Sequence, residues 1–381
     1  MTMQLPTAAQ PVPFLDLGGM HASMKDDLLA AFADLVDSSA FTGGPQVAAF
    51  EDAFATYCGT AHCVGTASGL DAIRLALIAA GVGRGDEVIV PAQTFVATLE
   101  AVTQAGATPV VVDVDPTDYC LDAAAAATAI TPATRALLPV HLYGQLADLR
   151  ALGELAARHD LVLVEDACQA HGAERDGLRA GAAGLAGAFS FYPGKNLGAF
   201  GDGGALVTGD AELAARVRAL REHGQTAKYR HDMEGWTSRL DTIQAIVLLR
   251  KLRELEGWNE ERRALAARYA DLLDGVGDLV LPPIAPSSDP VWHLYVVRTA
   301  DPDALAASLR EQGIATGRHY PQPVHLTDAY RWLGHRPGAF PVAEALAREG
   351  LSLPLYPGLS EAAQVGVAGA IARHFRHGGE R

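Results

Sequence analysis

CVGTASGLDAIRLALIAAGVGRGDEVIVPAQTFVATLEAVTQAGATPVVVDVD, residues 63–115, alternates short β-branched runs with stretches whose apolar residues recur at helical spacing. The strand-like pieces are CVGTAS at 63–68, DEVIVP at 86–91 and TPVVVDVD at 108–115, with helices expected over 69–80 and 95–105. β-Branched side chains fit a pleated, half-buried surface, and a period near 3.6 fits a helix packed on that surface. Strands separated by helices are joined by crossovers rather than tight hairpins, so the run specifies βαβ units around a mainly parallel sheet.

The pattern continues through RALLPVHLYG at 135–144, a helix over 148–158, LVLVEDA at 161–167 and the hairpin-like AFSFYPGKNLGAFGDGGALVT at 188–208. Seven or so strands imply an α/β protein with a large, mainly parallel seven-stranded sheet flanked by helices. On the N-terminal side, FTGGP at 41–45 separates two helices between Leu28 and Tyr57, and order is expected from near Phe14. The Pro- and Ala-rich residues 1–12 read as an arm. A helical region over 210–275, looser in its middle, leads to PPIAPSSDP at 282–290, which reads as a linker. Strands at 291–299 and 351–357 and a helix at 302–312 then suggest a smaller C-terminal α+β unit. The expected division is an arm at 1–12, a large domain at 13–250 and a small domain at 251–381.

With 381 residues and 49% hydrophobic content, the chain can bury a sizeable core. Its net charge of −15 is spread without a basic run, which disfavours nucleic acid as a partner. Cys58, Cys63, Cys120 and Cys168 show neither a CxxC pair nor metal-type spacing, so reduced thiols in a cytoplasmic enzyme and no metal site are expected. The N-terminus lacks a basic segment before an apolar stretch, and no run of about 18 apolar residues follows. Neither an export signal nor a membrane span is expected.

Lys195 stands among Gly194, Gly198, Gly201, Gly203 and Gly204, in a loop whose backbone can approach a ligand closely. A lysine desolvated there can form an imine with an aldehyde, because burial lowers its pKa and frees the amine; a solvated surface lysine is the other reading of the same loop. Asp166 ends an apolar strand at the sheet edge where α/β folds place ligands. A carboxylate there can keep a pyridine nitrogen protonated, or it can cap the next helix. Gln169 would lie near a phenolic oxygen on the same ring, and His171 serves packing or support. Gly69 and Leu70, after Ser68, offer helix N-terminal amides to an anion, and Ser190 can add a hydroxyl. Phe95 can stack on a flat ring, or belong to the core. Phosphate anchor, ring stacker, pyridinium partner and imine lysine occur in that order along one domain. Together they describe a site for pyridoxal 5'-phosphate (PLP).

The segments SGLDA (68–72), PAQTFVAT (91–98), VEDACQAHGA (164–173), FSFYPGKNLGAFGDGG (189–204), SRLDTIQA (238–245) and RHYPQPVH (318–325) resemble the fold-type-I, PLP-dependent sugar aminotransferases of the DegT/StrS family. The likeness runs from about Phe14 to the C-terminus. It implies that Lys195 holds the cofactor as an imine and then moves the proton between cofactor and substrate carbons. Relatives that dehydrate carry histidine at that position, so the lysine favours amino transfer. The resemblance also implies a homodimer with shared active sites, segment 224–240 being the donated loop. Thr237 replaces the asparagine of many relatives, which leaves only its hydroxyl for a phosphate contact. Arg239 binds a substrate carboxylate or phosphate, or forms an ion pair of the interface. Tyr192 is placed on the substrate side.

Leu70 in SGLDA, and His319, Tyr320 and His325 in the later loop, resemble enzymes of 3-amino-3,6-dideoxyhexoses. HGQTAKYRH (223–231) followed by SRLDTIQA resembles enzymes acting on a UDP-linked 3-oxo uronate. Both point to a C3 ketone, while His319 and His325 also fit as ordinary loop residues. The expected reaction is ping-pong. L-Glutamate converts PLP to pyridoxamine 5'-phosphate, which aminates a nucleotide-linked 3-keto sugar. The rivals are a C4-keto sugar or cyclitol aminotransferase, and a PLP-binding regulatory protein without turnover.

Overall fold

The structure is a computed structural model and describes residues 11–378. Residues 1–10 of the expected arm lie outside the described residues; at its end, Val12 forms a parallel bridge with Ile314.

The main sheet is built from β1 (His62–Thr66), β2 (Glu87–Pro91), β3 (Thr108–Val112), β4 (Thr134–Leu137), β5 (Val162–Asp166), β6 (Ala186–Ser190) and β7 (Gly204–Thr208). Its order is β1-β7-β6-β5-β4-β2-β3. Every pairing is parallel except those of β7, which runs antiparallel to both β6 and β1. The sheet is therefore seven-stranded and mainly parallel, as the alternation predicts. Several strands are shorter than expected. The run at 135–144 stops at Leu137 because Pro139 has no N–H for the ladder, although the Pro139 carbonyl still accepts from Asp166 N at 2.9 Å. Leu142–Gly144 turns as a 3-10 helix with Tyr143 at φ +59°.

Apolar side chains cover both faces, as a parallel sheet requires. One layer includes α1 (Pro45–Cys58) with Phe50 and Phe54 fully buried; the other includes α2 (Gly69–Ala79) and α3 (Ala97–Gln104). Pro45 starts α1 at a position where its missing N–H costs nothing, and Gly44 supplies the positive φ before it. α4 (Leu149–His159) begins on an Asp148 cap.

A further apolar cluster joins α5 (Leu255–Leu273) to the antiparallel pair β8 (Tyr295–Arg298) and β9 (Gly350–Leu353) and to the C-terminal helix from Glu361. The Pro-rich 282–290 segment is tied down more than a linker reading suggests. Ser288–Asp289 pair with Glu174–Arg175, and Ala285 N donates to Gln145 Oε1 at 2.9 Å.

Topology brings the chemical segments to one edge. β1, β5 and β6 run the same way, so their carboxyl ends align, and Gly204 pairs with both Thr66 and Ser190. Asp166, Ser190 and the start of α2 thus meet although they are far apart in sequence.

Candidate active site

A cavity of about 760 Å³ opens at this edge. Its lining includes Gly69, Phe95, Asp166, Gln169, Ser190 and Lys195. The sequence motifs therefore converge on a single space.

Gly69 and Leu70 are the first two residues of α2, whose amides have no acceptor within the helix. Ser68 caps the next turn, its Oγ accepting from Asp71 N at 3.1 Å. A Cβ on Gly69 would lie 2.6 Å from Cys168 Sγ and 2.7 Å from Ser190 Cβ, so only glycine lets the helix start approach so closely. Ser190 Oγ accepts from Tyr192 N at 3.3 Å.

Asp166 is buried, with Oδ2 accepting from Thr98 Oγ1 at 2.8 Å and Oδ1 from Cys168 N at 3.2 Å. Thr94 Oγ1 lies 2.8 Å from Thr98 Oγ1 and extends the chain of hydroxyls. Among the described residues no basic side chain forms an ion pair with this carboxylate. A buried anion held by neutral donors is suited to a cationic ring N–H supplied by a ligand. Gln169 Oε1 accepts from Tyr143 N at 2.7 Å, and its Nε2 donates to Tyr320 Oη at 3.1 Å, which fixes the amide's orientation. Phe95 is 52% exposed, and its ring lies 5.5 Å from that of Tyr320, leaving a flat aromatic face toward the cavity.

Lys195 lies on the β6–β7 loop, where Lys195 N donates to Tyr192 O at 2.9 Å and Ala199 N to Phe191 O at 2.7 Å. Behind it the buried Lys251 Nζ donates to Gly198 O at 2.5 Å, pinning the loop from below. Burial lowers the Lys195 pKa, with Cys168 and Asp166 acting against that shift. His293 and His319 also feel the lysine; burial chiefly, and Lys195 next, keep His319 neutral with a pKa of about 4. His319 Nδ1 lies 2.8 Å from Ser352 Oγ.

A family model for the DegT/DnrJ/EryC1/StrS aminotransferases matches residues 22–372. The chain belongs to that family. It is 51% identical over 360 residues, covering 94% of this chain and 95% of the relative, to the dTDP-3-amino-3,4,6-trideoxy-alpha-D-glucose transaminase of Streptomyces venezuelae. The structure of S. venezuelae DesV in complex with a ketimine intermediate superposes with a TM-score of 0.93 at 51% identity, over 95% of this chain and 98% of that one. NtdA of Bacillus subtilis with bound cofactor PMP superposes at 0.89 with 31% identity, over 98% of this chain and 87% of that one. The fold is that of fold-type-I aminotransferases, and the chain is a PLP-dependent transaminase.

The residues present fit the family's cofactor: free amides beside a close-packed glycine for the phosphate, a buried carboxylate without a counter-ion for the ring nitrogen, and a depressed amine for the aldehyde. In this aminotransferase Tyr192, His319 and Tyr320 also line the cavity. His325 does not. It is buried away from the cavity with Nε2 3.1 Å from Glu344 Oε1 and its ring 4.7 Å from that of Phe340. Thr237 and Arg239 likewise lie outside this chain's cavity. Thr237 Oγ1 is 3.0 Å from His223 Nε2, and Arg239 Nη1 is 2.6 Å from Glu222 Oε1.

Sequence reasoning missed Thr98, Cys168, Arg262 and His293, all of which line the cavity. Thr98 had a signal, since it follows Thr94 by one helical turn. Arg262 had another, because it falls on the apolar stripe of its helix. Cys168 had its place between Asp166 and Gln169, whereas His293 had no signal along the chain.

Proposed function

We propose that this enzyme transfers an amino group from L-glutamate to the C3 ketone of a dTDP-linked 3-keto-6-deoxyhexose. The observation that carries the reading is the partly buried Lys195 amine, its pKa lowered, sharing one cavity with Asp166. The 51% identity with a dTDP-3-amino sugar transaminase supports the deoxyhexose over a UDP-linked uronate.

When bound, PLP supplies an electrophilic aldehyde and an electron-accepting ring. The chain supplies the rest. α2 offers its first amides to the phosphate. Asp166, steadied by Thr98, would face the ring nitrogen and keep its proton there. Lys195, whose pKa is lowered by desolvation, would hold the aldehyde through Nζ and would then carry a proton at that atom. Gln169, its amide oriented by Tyr143 and Tyr320, would face the ring's oxygen substituent. Apolar walls that include Ile73, Leu294 and Leu355 exclude water from these steps.

The segment carrying Thr237 and Arg239 serves a second copy of the chain in this reading. Exposed Leu29, Val36, Phe41, Phe200 and Ile243 give apolar surface for a homodimer with shared sites. The four free cysteines suit a reducing compartment, and we place the enzyme in the cytoplasm. No helix among the described residues is long and apolar enough to cross a membrane. We also take residues 13–250 as the cofactor-binding domain and 251–381 as the small domain.

The test combines borohydride trapping with a keto-sugar panel. Wild type should retain the cofactor covalently after reduction and aminate 3-keto substrates. Lys195→Ala should do neither. Turnover of 4-keto but not 3-keto sugars would overturn the C3 assignment, and binding of PLP without conversion by any amino acid would favour the regulatory reading.

A further inference from the structure

The buried stripe of α5 runs Leu255, Asn259, Arg262, Leu265, Ala266, Tyr269 and Leu273, so Arg262 occupies a core position of a packed helix. It is 2% exposed. Its Nη1 donates to the carbonyls of Trp292 and Leu355, each at 3.0 Å. Nε has no hydrogen-bond partner, and among the described residues no carboxylate forms an ion pair with the guanidinium. Neighbouring Glu261 acts on it only through its field, its Oε2 accepting instead from Gly358 N at 2.9 Å. Burial lowers the pKa to about 10, which still leaves a full positive charge at neutral pH.

A buried cation without a counter-ion is costly unless a ligand completes it. Arg262 lines the same cavity as Lys195, and it is the only arginine among the described residues that does so. The acids of that cavity are otherwise placed. Asp166 accepts from Thr98 and Cys168, and neither Glu100 nor Asp202 forms an ion pair with Arg262. His293 feels both Lys195 and Arg262 and is held neutral chiefly by burial, so it adds no competing charge. Arg239, the sequence's candidate for a carboxylate, is paired with Glu222 outside the cavity.

We propose that Arg262 binds the α-carboxylate of the amino donor. A planar guanidinium matches a carboxylate in geometry as well as charge, and the two carbonyls on Nη1 fix its plane. The α-carboxylate is chosen because it is attached to the carbon whose amine must reach the Lys195 side of the cavity. The inference rests on the transaminase reading and adds to it the residue that recognises the donor.

The donor half-reaction is followed spectroscopically without sugar, and the sugar half-reaction separately, for wild type, Arg262→Lys and Arg262→Met. Arg262→Met should weaken L-glutamate binding roughly 30- to 1000-fold and leave keto-sugar affinity within about twofold, with Arg262→Lys in between. A second measurement needs no variant: wild type should bind the α-amide of glutamate far more weakly than glutamine, the γ-amide. Equal binding of the two amides would sink the proposal even if the variants fold poorly. Loss on the sugar side alone would assign Arg262 to a nucleotide phosphate, and parallel loss in both halves would make it structural; either overturns the proposal. If wild type transferred no amino group at all, the functional reading itself would have failed.

Discussion

Adding one methyl group at Gly69 tests the phosphate site where its geometry is tightest. An alanine Cβ there would sit 2.6 Å from Cys168 Sγ, 2.7 Å from Ser190 Cβ and 3.1 Å from Ser190 Cα. Carbon contacts are comfortable at about 3.5–4.0 Å, so something must retreat by about 1 Å. Ser190 cannot yield easily, because at the end of β6 its backbone is paired with Gly204 of β7. The start of α2 must move instead, at a cost of about 1–3 kcal/mol in stability. The same movement draws the Gly69 and Leu70 amides away from the anion. A hydrogen bond to a charged group contributes about 1.5–3 kcal/mol, and each 1.4 kcal/mol is about tenfold in affinity. Gly69→Ala should therefore raise the PLP dissociation constant about 10- to 100-fold and lower the melting temperature. The assay is a fluorescence titration of the cofactor-free protein with PLP, alongside thermal melts. Gly153→Ala is the control: its Cβ meets nothing within 4 Å on α4, so it should leave PLP affinity alone and stabilise the helix by about 0.5–1 kcal/mol. If Gly69→Ala bound PLP within about twofold of wild type at an unchanged melting temperature, the close-approach argument would be wrong.

Two further outcomes are expected. Asp166→Asn removes the charge on the ring nitrogen's side while keeping an acceptor for Thr98, so kcat should fall on the order of 100-fold or more while PLP still binds; an unchanged kcat would remove the carboxylate's assigned role. His171 is fully buried with both ring nitrogens unpartnered, and burial lowers its pKa from 6.5 to about 3. It stays neutral in the fold, whereas the unfolded chain takes up a proton below pH 6.5. Its stabilising contribution is thus complete above that pH and is lost as pH falls toward 3, by up to about 2 kcal/mol at pH 5. Denaturant melts between pH 7 and pH 5 should show a shallower decline for His171→Phe than for wild type, and parallel curves would refute the assignment.

The sequence by itself determined the fold class and most of the cofactor constellation, because both are local signals. Alternating strand and helix periods are written within each run of about a dozen residues, and Asp166 and Lys195 each sit in a segment whose pattern points to a sheet edge or an open loop. Only the tertiary structure decided which polar residues share the cavity. Pairing of Gly204 with both Thr66 and Ser190 brings α2 against Cys168, a contact that no spacing along the chain reveals. Within the same short motif His319 faces the cavity while His325 is drawn to Glu344. Arg239 looked available, yet Glu222 holds it, and Arg262, which the sequence reading passed over, faces Lys195's cavity. Charge partners and side-chain directions depend on residues far away in sequence, so they are settled only when strands, helices and the C-terminal elements have packed together.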